Sequence, residues 1–156
     1  MPKVGTLMDL IEQNLDGAQL RIGIVQSRFN AEIGDGLRMA CLDELRQMGV
    51  SDDAITLATV PGALESPLLL SKMAKSGRFD GLIALGAVIR GETYHYEVVS
   101  NESARCIAQV QLETGVPVAN AILTTEDDAQ ALVRMSVKGR EAAQAVVEMI
   151  HLLRAF

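Results

Sequence analysis

Several residue types are scarce in this chain of 156 residues, and each scarcity excludes a class of protein. Aromatic residues make up only 3% of the sequence and tryptophan is absent, so the core must be aliphatic. The two cysteines, Cys41 and Cys106, are too few for a disulfide scaffold and are typical of free thiols in a reducing compartment. The two histidines lie far apart, which leaves no metal site to predict. No uncharged stretch approaches the roughly 20 residues of a transmembrane helix.

Basic residues are also in the minority. There are 14 Lys and Arg against 20 Asp and Glu, a net charge of −6, which argues against a nucleic-acid or anionic-membrane partner. Residues 1–10 lack the basic start and the apolar run of a signal peptide. We therefore expect a soluble cytoplasmic protein with one domain over residues 1–156, of which residues 1–19 form an extension before the first strand.

Apolar strand-like runs alternate with helical patterns along the rest of the chain. The patterns predict strands over 21–26, 54–60, 80–89 and 116–123, and helices over 31–48, 64–76, 94–114, 126–137 and 139–154. Such alternation is typical of a parallel sheet with right-handed crossovers. The predicted fold class is α/β, a three-layer α/β/α sandwich with a four-stranded parallel flavodoxin-like sheet. The segment before Arg21 has no partner in this scheme and either packs on a neighbouring subunit or is loose.

Ligands of open parallel sheets bind beyond the carboxyl ends of the strands, so the loops after the strands form the candidate site. After the first strand, Phe29 either caps the core or offers a flat face to a planar ligand, and Asn30 is placed to cap the next helix. After the second strand, Pro61 and Gly62 form a turn that a ligand can approach closely. Glu65 follows in the first helical turn, where it either offsets the helix dipole or accepts hydrogen bonds from a polyhydroxylated ligand.

The loop after the third strand carries the most chemistry. Gly86 and Gly91 have the spacing of a P-loop, but Glu92 stands where that motif requires lysine, which excludes a nucleoside triphosphate. What remains is a turn that presents Thr93 and backbone N–H groups at a helix start, an arrangement that suits one phosphate group. His95 in the first turn of that helix is either a local hydrogen-bonding residue or a proton shuttle near neutral pH.

The last helical region carries two cations on one face, Arg134 and Lys138. Like charges at this spacing cost roughly 0.2–0.5 kcal/mol in a helix. A bound anion would offset that cost, and plain solvation of the face is the other explanation. The second histidine, His151, lies on an amphipathic pattern and is predicted to be at the surface.

Four loop sequences, taken together and in order, carry a resemblance that none carries alone. They are SRFN at 27–30, VPGALESP at 60–67, GAVIRGETYH at 86–95 and LTTE at 123–126. With them the chain resembles the 6,7-dimethyl-8-ribityllumazine synthase family from about residue 20 to residue 156. That family condenses 5-amino-6-(D-ribitylamino)uracil with 3,4-dihydroxy-2-butanone 4-phosphate, losing phosphate and water, in the penultimate step of riboflavin biosynthesis. The resemblance implies the same reaction here, with no metal or redox cofactor.

The resemblance also implies roles for single residues. His95 would transfer protons during Schiff-base formation and phosphate elimination, and Phe29 would stack on the pyrimidine ring. The other implied contacts are Ala63, Leu64 and Glu65 with the ribityl chain, Ala87, Val88 and Ile89 with the uracil, and Glu92, Thr93 and Arg134 with the phosphate. Arg134 would reach in from an adjacent subunit, with Lys138 as a weaker helper.

Two departures from the family pattern shape the remaining expectations. Asn120 stands in the fourth-strand loop where many members have phenylalanine, so the pyrimidine would be stacked from one side only, or hydrogen-bonded by Asn120. The run 134–141 is about four residues shorter than in capsid-forming members, whose longer segment lets the last two helices kink. We therefore expect a homopentamer with active sites at subunit interfaces, with a decamer left open.

Two other functions compete with this enzyme. A non-catalytic flavin- or lumazine-binding module on the same fold is the alternative, and a structural shell protein is the third hypothesis. A titratable histidine beside an anion site favours the enzyme, because a module that only binds its ligand does not need one.

Overall fold

A computed structural model describes residues 8–156, and most of the segment examined for a signal peptide lies outside this range. One four-stranded sheet forms the middle of the molecule, with the strand order β2-β1-β3-β4 and every neighbouring pair parallel. The strands are β1 (Ile22–Ser27), β2 (Ile55–Val60), β3 (Gly81–Ile89) and β4 (Val118–Thr125). The predicted four-stranded parallel α/β sandwich is confirmed.

Helices cover both faces of the sheet. They are α1 (Ala31–Gln47), α2 (Ser66–Lys75), α3 (His95–Thr114) and α4 (Asp128–Arg154), with short 3₁₀ turns at Asp52–Ala54 and Ala63–Glu65. Alternate strand residues feed two apolar clusters: Ile24 and Ile83 pack with α1 and α4, whereas Val25 and Leu82 pack with α2 and α3. β3 is buried on both faces over most of its length, as the apolar run 80–89 predicts.

The prediction of two helices at the end of the chain is wrong. Residues 128–154 form the single helix α4, which continues through Gly139. A Cβ atom at Gly139 would lie 2.4 Å from the carbonyl oxygen of Leu37, so this glycine allows α4 to approach α1 closely. Gly36 on α1 similarly faces Met135. The sequence pattern could not separate a glycine that breaks a helix from one that lets two helices touch.

The segment before β1 packs on its own chain, which corrects the expectation that it lacks a partner within the fold. The Gly17 N–H donates to the carbonyl oxygen of Met48 at 2.7 Å, and Leu20 is fully buried. The ring Nε2 of His151 lies 2.6 Å from the carbonyl oxygen of Asp16. His151 is therefore only half-exposed, and it joins α4 to this segment.

Candidate active site

The loops that follow β1, β2 and β3 meet at one edge of the sheet and enclose a cleft of about 310 Å³. We name it the histidine cleft, and its walls are largely apolar. The lining residues are Phe29, Asn30, Gly62, Ala63, Leu64, Glu65, Ala87, Val88, Ile89, His95 and Val99.

Phe29 stands at the mouth of the histidine cleft. Its side chain is 66% exposed, so the interpretation that it caps the core is wrong. A Cβ atom at Gly62 would lie 2.8 Å from the Phe29 ring, which means that the ring rests directly on the backbone of the second loop. The Phe29 N–H donates to the carbonyl oxygen of Pro61 at 3.2 Å and fixes the two loops together. The ring thus offers a flat face beside the cleft.

Asn30 corrects a second expectation. It precedes α1, but its side chain makes no capping hydrogen bond and its backbone is left-handed, with φ of 58°. The side-chain amide instead donates to the carbonyl oxygen of Ala87 at 3.0 Å. Asparagine tolerates the left-handed region better than most residues do. Asn30 therefore joins the ends of β1 and β3 across the floor of the cleft.

Glu65 ends the 3₁₀ turn before α2, on the opposite wall. Its Oε2 accepts the N–H of Gly62 at 3.2 Å, which closes the turn around the glycine. The side chain is exposed, so the carboxylate both holds the loop and remains open to hydroxyl groups of a ligand.

His95 is the first residue of α3 and is exposed at the edge of the cleft. Its backbone N–H donates to Oγ1 of Thr93 at 3.4 Å, a weak local contact. Among the residues that the structure describes, the N–H groups of Glu92 and Thr93 donate to no protein acceptor. The start of α3 therefore has free donors next to an imidazole, which suits an anion.

A second cleft, of about 730 Å³, lies between β4 and α4. We name it the arginine cleft, because Arg134 and Lys138 both line it. The Nη1 of Arg134 donates to the carbonyl oxygen of Gln130 at 2.8 Å, and the side chain is exposed. The other lining residues are Ile122, Leu123, Thr124, Thr125, Gln130, Val133, Val137 and Glu141. The predicted common face of the two cations is confirmed.

Among residues 8–156, the histidine cleft and the arginine cleft share no lining residue, and no lysine or arginine lines the histidine cleft. The cation nearest in sequence to Thr93 and His95 is Arg90. Its Nε donates to Oε2 of Glu126 at 2.6 Å, and its Nη1 donates to Oε1 of Glu97. Its guanidinium also lies over the Tyr96 ring, 4.3 Å from the centroid. This hydrogen bonding and charge hold the pKa of Glu97 below its usual value.

Comparison with known proteins identifies the family. The family model described as 6,7-dimethyl-8-ribityllumazine synthase matches residues 19–154. Curated relatives with that name come from Methylobacillus flagellatus (68% identical, over 94% of this chain and 99% of the relative) and Azoarcus sp. (59%, 92% and 92%). A third, from Paraburkholderia phymatum, is 61% identical over 90% of this chain and 82% of its own length. The chain belongs to the 6,7-dimethyl-8-ribityllumazine synthase family. The resemblance carried by the four loop sequences is confirmed.

The fold of this lumazine synthase family member brings most of the predicted site residues together. Eight of them line the histidine cleft: Phe29, Ala63, Leu64, Glu65, Ala87, Val88, Ile89 and His95. Glu92 and Thr93 lie on the loop just before His95, while Arg134 lies in the arginine cleft. Asn120 corrects its predicted place, since it is within β4, opposite Ala84, and not in the loop that follows. It is exposed, and its Oδ1 accepts the N–H of Ile122.

The sequence interpretation missed the bonds that organise the loops. Arg90 lies within the loop sequence GAVIRGETYH, but the sequence alone indicates no role for it. Its partner Glu126 is 36 residues away. Adjacent parallel strands could have suggested that residues 90 and 126 meet, because both directly follow strand ends.

Two features are absent from the part of the chain that the structure describes. No helix among residues 8–156 is long and apolar enough to cross a membrane. Within the same residues no group of three or more His, Cys, Asp or Glu side chains could hold a metal ion.

Proposed function

We propose that this protein condenses 5-amino-6-(D-ribitylamino)uracil with 3,4-dihydroxy-2-butanone 4-phosphate to form 6,7-dimethyl-8-ribityllumazine, phosphate and water. One observation carries the roles of the residues. The ring of Phe29, the carboxylate of Glu65 and the imidazole of His95 line the same apolar cleft. Membership of the 6,7-dimethyl-8-ribityllumazine synthase family supports the same reaction.

The histidine cleft suits the pyrimidine substrate. The exposed face of Phe29 can stack on a planar heterocycle, and the strand end at Ala87, Val88 and Ile89 offers a narrow apolar wall with backbone groups for its edge. The ribityl chain carries hydroxyl groups that can donate to the Glu65 carboxylate. The walls and the carboxylate together select a flat ring that carries a polyol.

His95, one of the two histidines in the sequence, lies beside the free N–H donors at the start of α3, and histidine is the side chain that most often serves in general acid–base catalysis. The substrate amine attacks the ketone carbonyl, and water leaves as the Schiff base forms. Loss of phosphate then breaks a carbon–oxygen bond after a proton is removed from carbon. His95 can take up and return these protons, a contribution that is typically about 10²–10⁴-fold in rate.

The phosphate requires a cation that the histidine cleft does not contain. Arg90 is already bound to Glu97 and Glu126, whereas in the other cleft Arg134 is exposed and Lys138 is half-exposed. We therefore place the active site at a subunit interface, where the arginine cleft of one subunit meets the histidine cleft of its neighbour. Exposed apolar side chains beside Arg134, at Val133 and Val137, support such a contact.

A closed ring of identical heterologous contacts explains how every histidine cleft obtains a cation. We propose that the ring is a pentamer. Native mass spectrometry should give five copies, or ten if two rings pair. A stable monomer contradicts the shared site, and a 60-subunit particle contradicts the free pentamer.

The reaction itself is tested by mixing the two substrates with the purified protein and recording lumazine fluorescence. Turnover that depends on both substrates supports the enzyme. If the protein binds the product tightly but forms none, it is the alternative, a non-catalytic flavin- or lumazine-binding module. Failure to bind either substrate or the product leaves only a structural role.

A further inference from the structure

We propose that Arg90 is a positioning residue, which fixes the loop 91–94 and the start of α3 and so orients Thr93 and His95 for the phosphate-bearing substrate. The inference rests on the proposed function of this site. It assigns to Arg90 a task different from that of Arg134, which binds the phosphate itself.

Arg90 directly follows the last residue of β3, at the carboxyl end of the sheet. Its backbone N–H donates to the carbonyl oxygen of Thr125 at 2.9 Å, which continues the pairing of β3 with β4 by one residue. Its side chain then contacts three groups: the carboxylates of Glu97 and Glu126 and the ring of Tyr96. One planar guanidinium thus joins the sheet to the first turn of α3 and to the connection that enters α4.

The loop between these anchors has little else to hold it. Gly91 is surrounded by open space, because a Cβ atom placed there would meet nothing within 4 Å. Besides the first hydrogen bonds of α3, from the N–H groups of Glu97 and Val98 to the carbonyl oxygen of Tyr94, the described residues supply one weak contact inside the loop, from the His95 N–H to Oγ1 of Thr93 at 3.4 Å. The bond from Arg90 to Glu97 closes this short segment from outside, and closing it removes conformations in which Thr93 and His95 are displaced.

The pairing also sets the charge of the region. The guanidinium is shared between the carboxylates of Glu97 and Glu126, and its hydrogen bond to Glu97 holds the pKa of that carboxyl group below its usual value. Single exposed ion pairs contribute little to stability. The value of this arrangement lies in geometry, since a displacement of about 1 Å in a reacting group can cost on the order of 10²-fold in rate.

The test compares Arg90→Gln with the wild-type full chain. We expect kcat to fall about tenfold and KM for the phosphorylated butanone to rise about fivefold, with KM for the pyrimidine changing less than twofold. Arg90→Lys keeps the charge but cannot reach both carboxylates with a planar fork, so it should recover only part of the loss.

Arg105→Gln is the matched control. Arg105 pairs with Glu102 on the exposed side of the same helix, away from the loop, and its removal should leave kcat and both KM values unchanged. Equal losses in Arg90→Gln and Arg105→Gln overturn the proposal, as does a rise in both KM values by the same factor together with a lower unfolding temperature.

Amide hydrogen exchange gives a readout that does not depend on turnover. In Arg90→Gln the peptide covering residues 95–99 should exchange about tenfold faster, because the N–H groups of Glu97 and Val98 in it donate to the carbonyl oxygen of Tyr94, while α1 keeps its wild-type protection. Unchanged exchange in that peptide overturns the positioning role even if the wild-type protein proves inactive. Conversely, an inactive wild type with the expected exchange pattern would contradict the proposed reaction and leave the anchoring by Arg90 intact.

Discussion

The two clefts of this chain differ in what each contains. The histidine cleft has a flat ring, a carboxylate and an imidazole on loops that are joined by the side chain of Asn30 and the N–H of Phe29. The arginine cleft has two cations on α4, and the described part of the chain places no histidine or aromatic ring in its wall. The first cleft has the groups to bind a planar ring that carries a polyol and to transfer protons, and the second has the groups to bind an anion. In the proposed function, each is half of a site for substrates that carry both features.

This division leads to the idea that neither cleft works alone. A reaction that joins a pyrimidine to a phosphate ester needs both sets of groups within reach of one another. In the proposed assembly, a second copy of the chain brings its arginine cleft to the first copy's histidine cleft. This division of tasks can be tested by substituting residues in one cleft at a time and measuring which substrate's kinetic constants change.

The largest expected effect is on proton transfer. His95→Ala should lower kcat at least tenfold, and about 10²-fold if the imidazole acts in both steps, while affinity for the product changes little. Titration of the lumazine fluorescence measures the affinity, and stopped-flow mixing of the two substrates measures turnover. Wild-type kcat in this variant removes the role assigned to His95.

A mixing experiment extends that result to the shared site. His95→Ala and Arg134→Ala subunits, dissociated and reassembled together at a 1:1 ratio, should regain activity, because about one quarter of random interfaces carry both native residues. Each variant reassembled alone is the control. No recovery in the mixture would show that His95 and Arg134 act within one subunit.

The next effect concerns the anion. Arg134→Ala should raise KM for the phosphorylated butanone by about tenfold or more, because a charge-assisted hydrogen bond to phosphate is lost. KM for the pyrimidine should change less than twofold. Arg140→Ala, which removes a cation on α4 outside the arginine cleft, should leave both values as they are. Comparable rises for both substrates in Arg134→Ala contradict a phosphate role.

A smaller effect should appear at the aromatic wall. In Gly62→Ala the new methyl group would lie 2.8 Å from the Phe29 ring, so the exposed ring must turn away from the position that suits stacking. We expect KM for the pyrimidine to rise about threefold and KM for the phosphorylated butanone to stay constant. The second substrate is the internal control, and an unchanged pyrimidine KM would mean that Phe29 does not stack.

The smallest kinetic effect is expected at the opposite end of the sheet. Burial favours the neutral form of Asp80, but hydrogen bonds from the backbone and guanidinium of Arg21 and the charge of Arg154 outweigh it and lower the pKa of Asp80. The lowered pKa means that Asp80 stabilises the fold above about pH 4, and that this contribution is lost as the pH falls through the folded-state pKa.

Asp80→Asn should therefore cost about 1 kcal/mol in the free energy of unfolding at pH 7 and less at pH 3. Chemical denaturation at the two pH values measures the difference, and kcat and both KM values should not change. Altered kinetics would mean that the clefts are not independent of the amino end of the sheet.

Much of this architecture could be predicted because local patterns decide it. Helix ends at Gly49, Gly77 and Gly115 are visible in the sequence, and all three glycines have positive φ. The apolar run at 80–89 predicts a strand that is covered on both faces, and β3 is such a strand over most of its length. The four loop sequences fix which residues meet at the carboxyl edge, since parallel strands bring their ends together.

The errors share a different cause, which is contact between distant parts of the chain. Gly139 reads as a helix break because the carbonyl oxygen of Leu37, which it accommodates, is about a hundred residues away in sequence. Asn30 has the residue type and the position of a cap, yet its amide finds the carbonyl oxygen of Ala87 instead. His151 binds a backbone oxygen 135 positions earlier. Residue type and periodicity contain no information on such partners.

Because α4 is one continuous helix, its contact with Leu37 of α1 determines the direction in which its other side chains point. Gly139 faces α1, and this contact fixes the angle at which Arg134 leaves the helix. One residue inserted between Gly139 and Arg134 would turn that guanidinium by about 100° around the axis, whereas four inserted residues would turn it by only about 40°. Four inserted residues would also move the guanidinium by about 6 Å along the axis, so one extra helical turn nearly keeps the direction of this side chain but changes its height along α1.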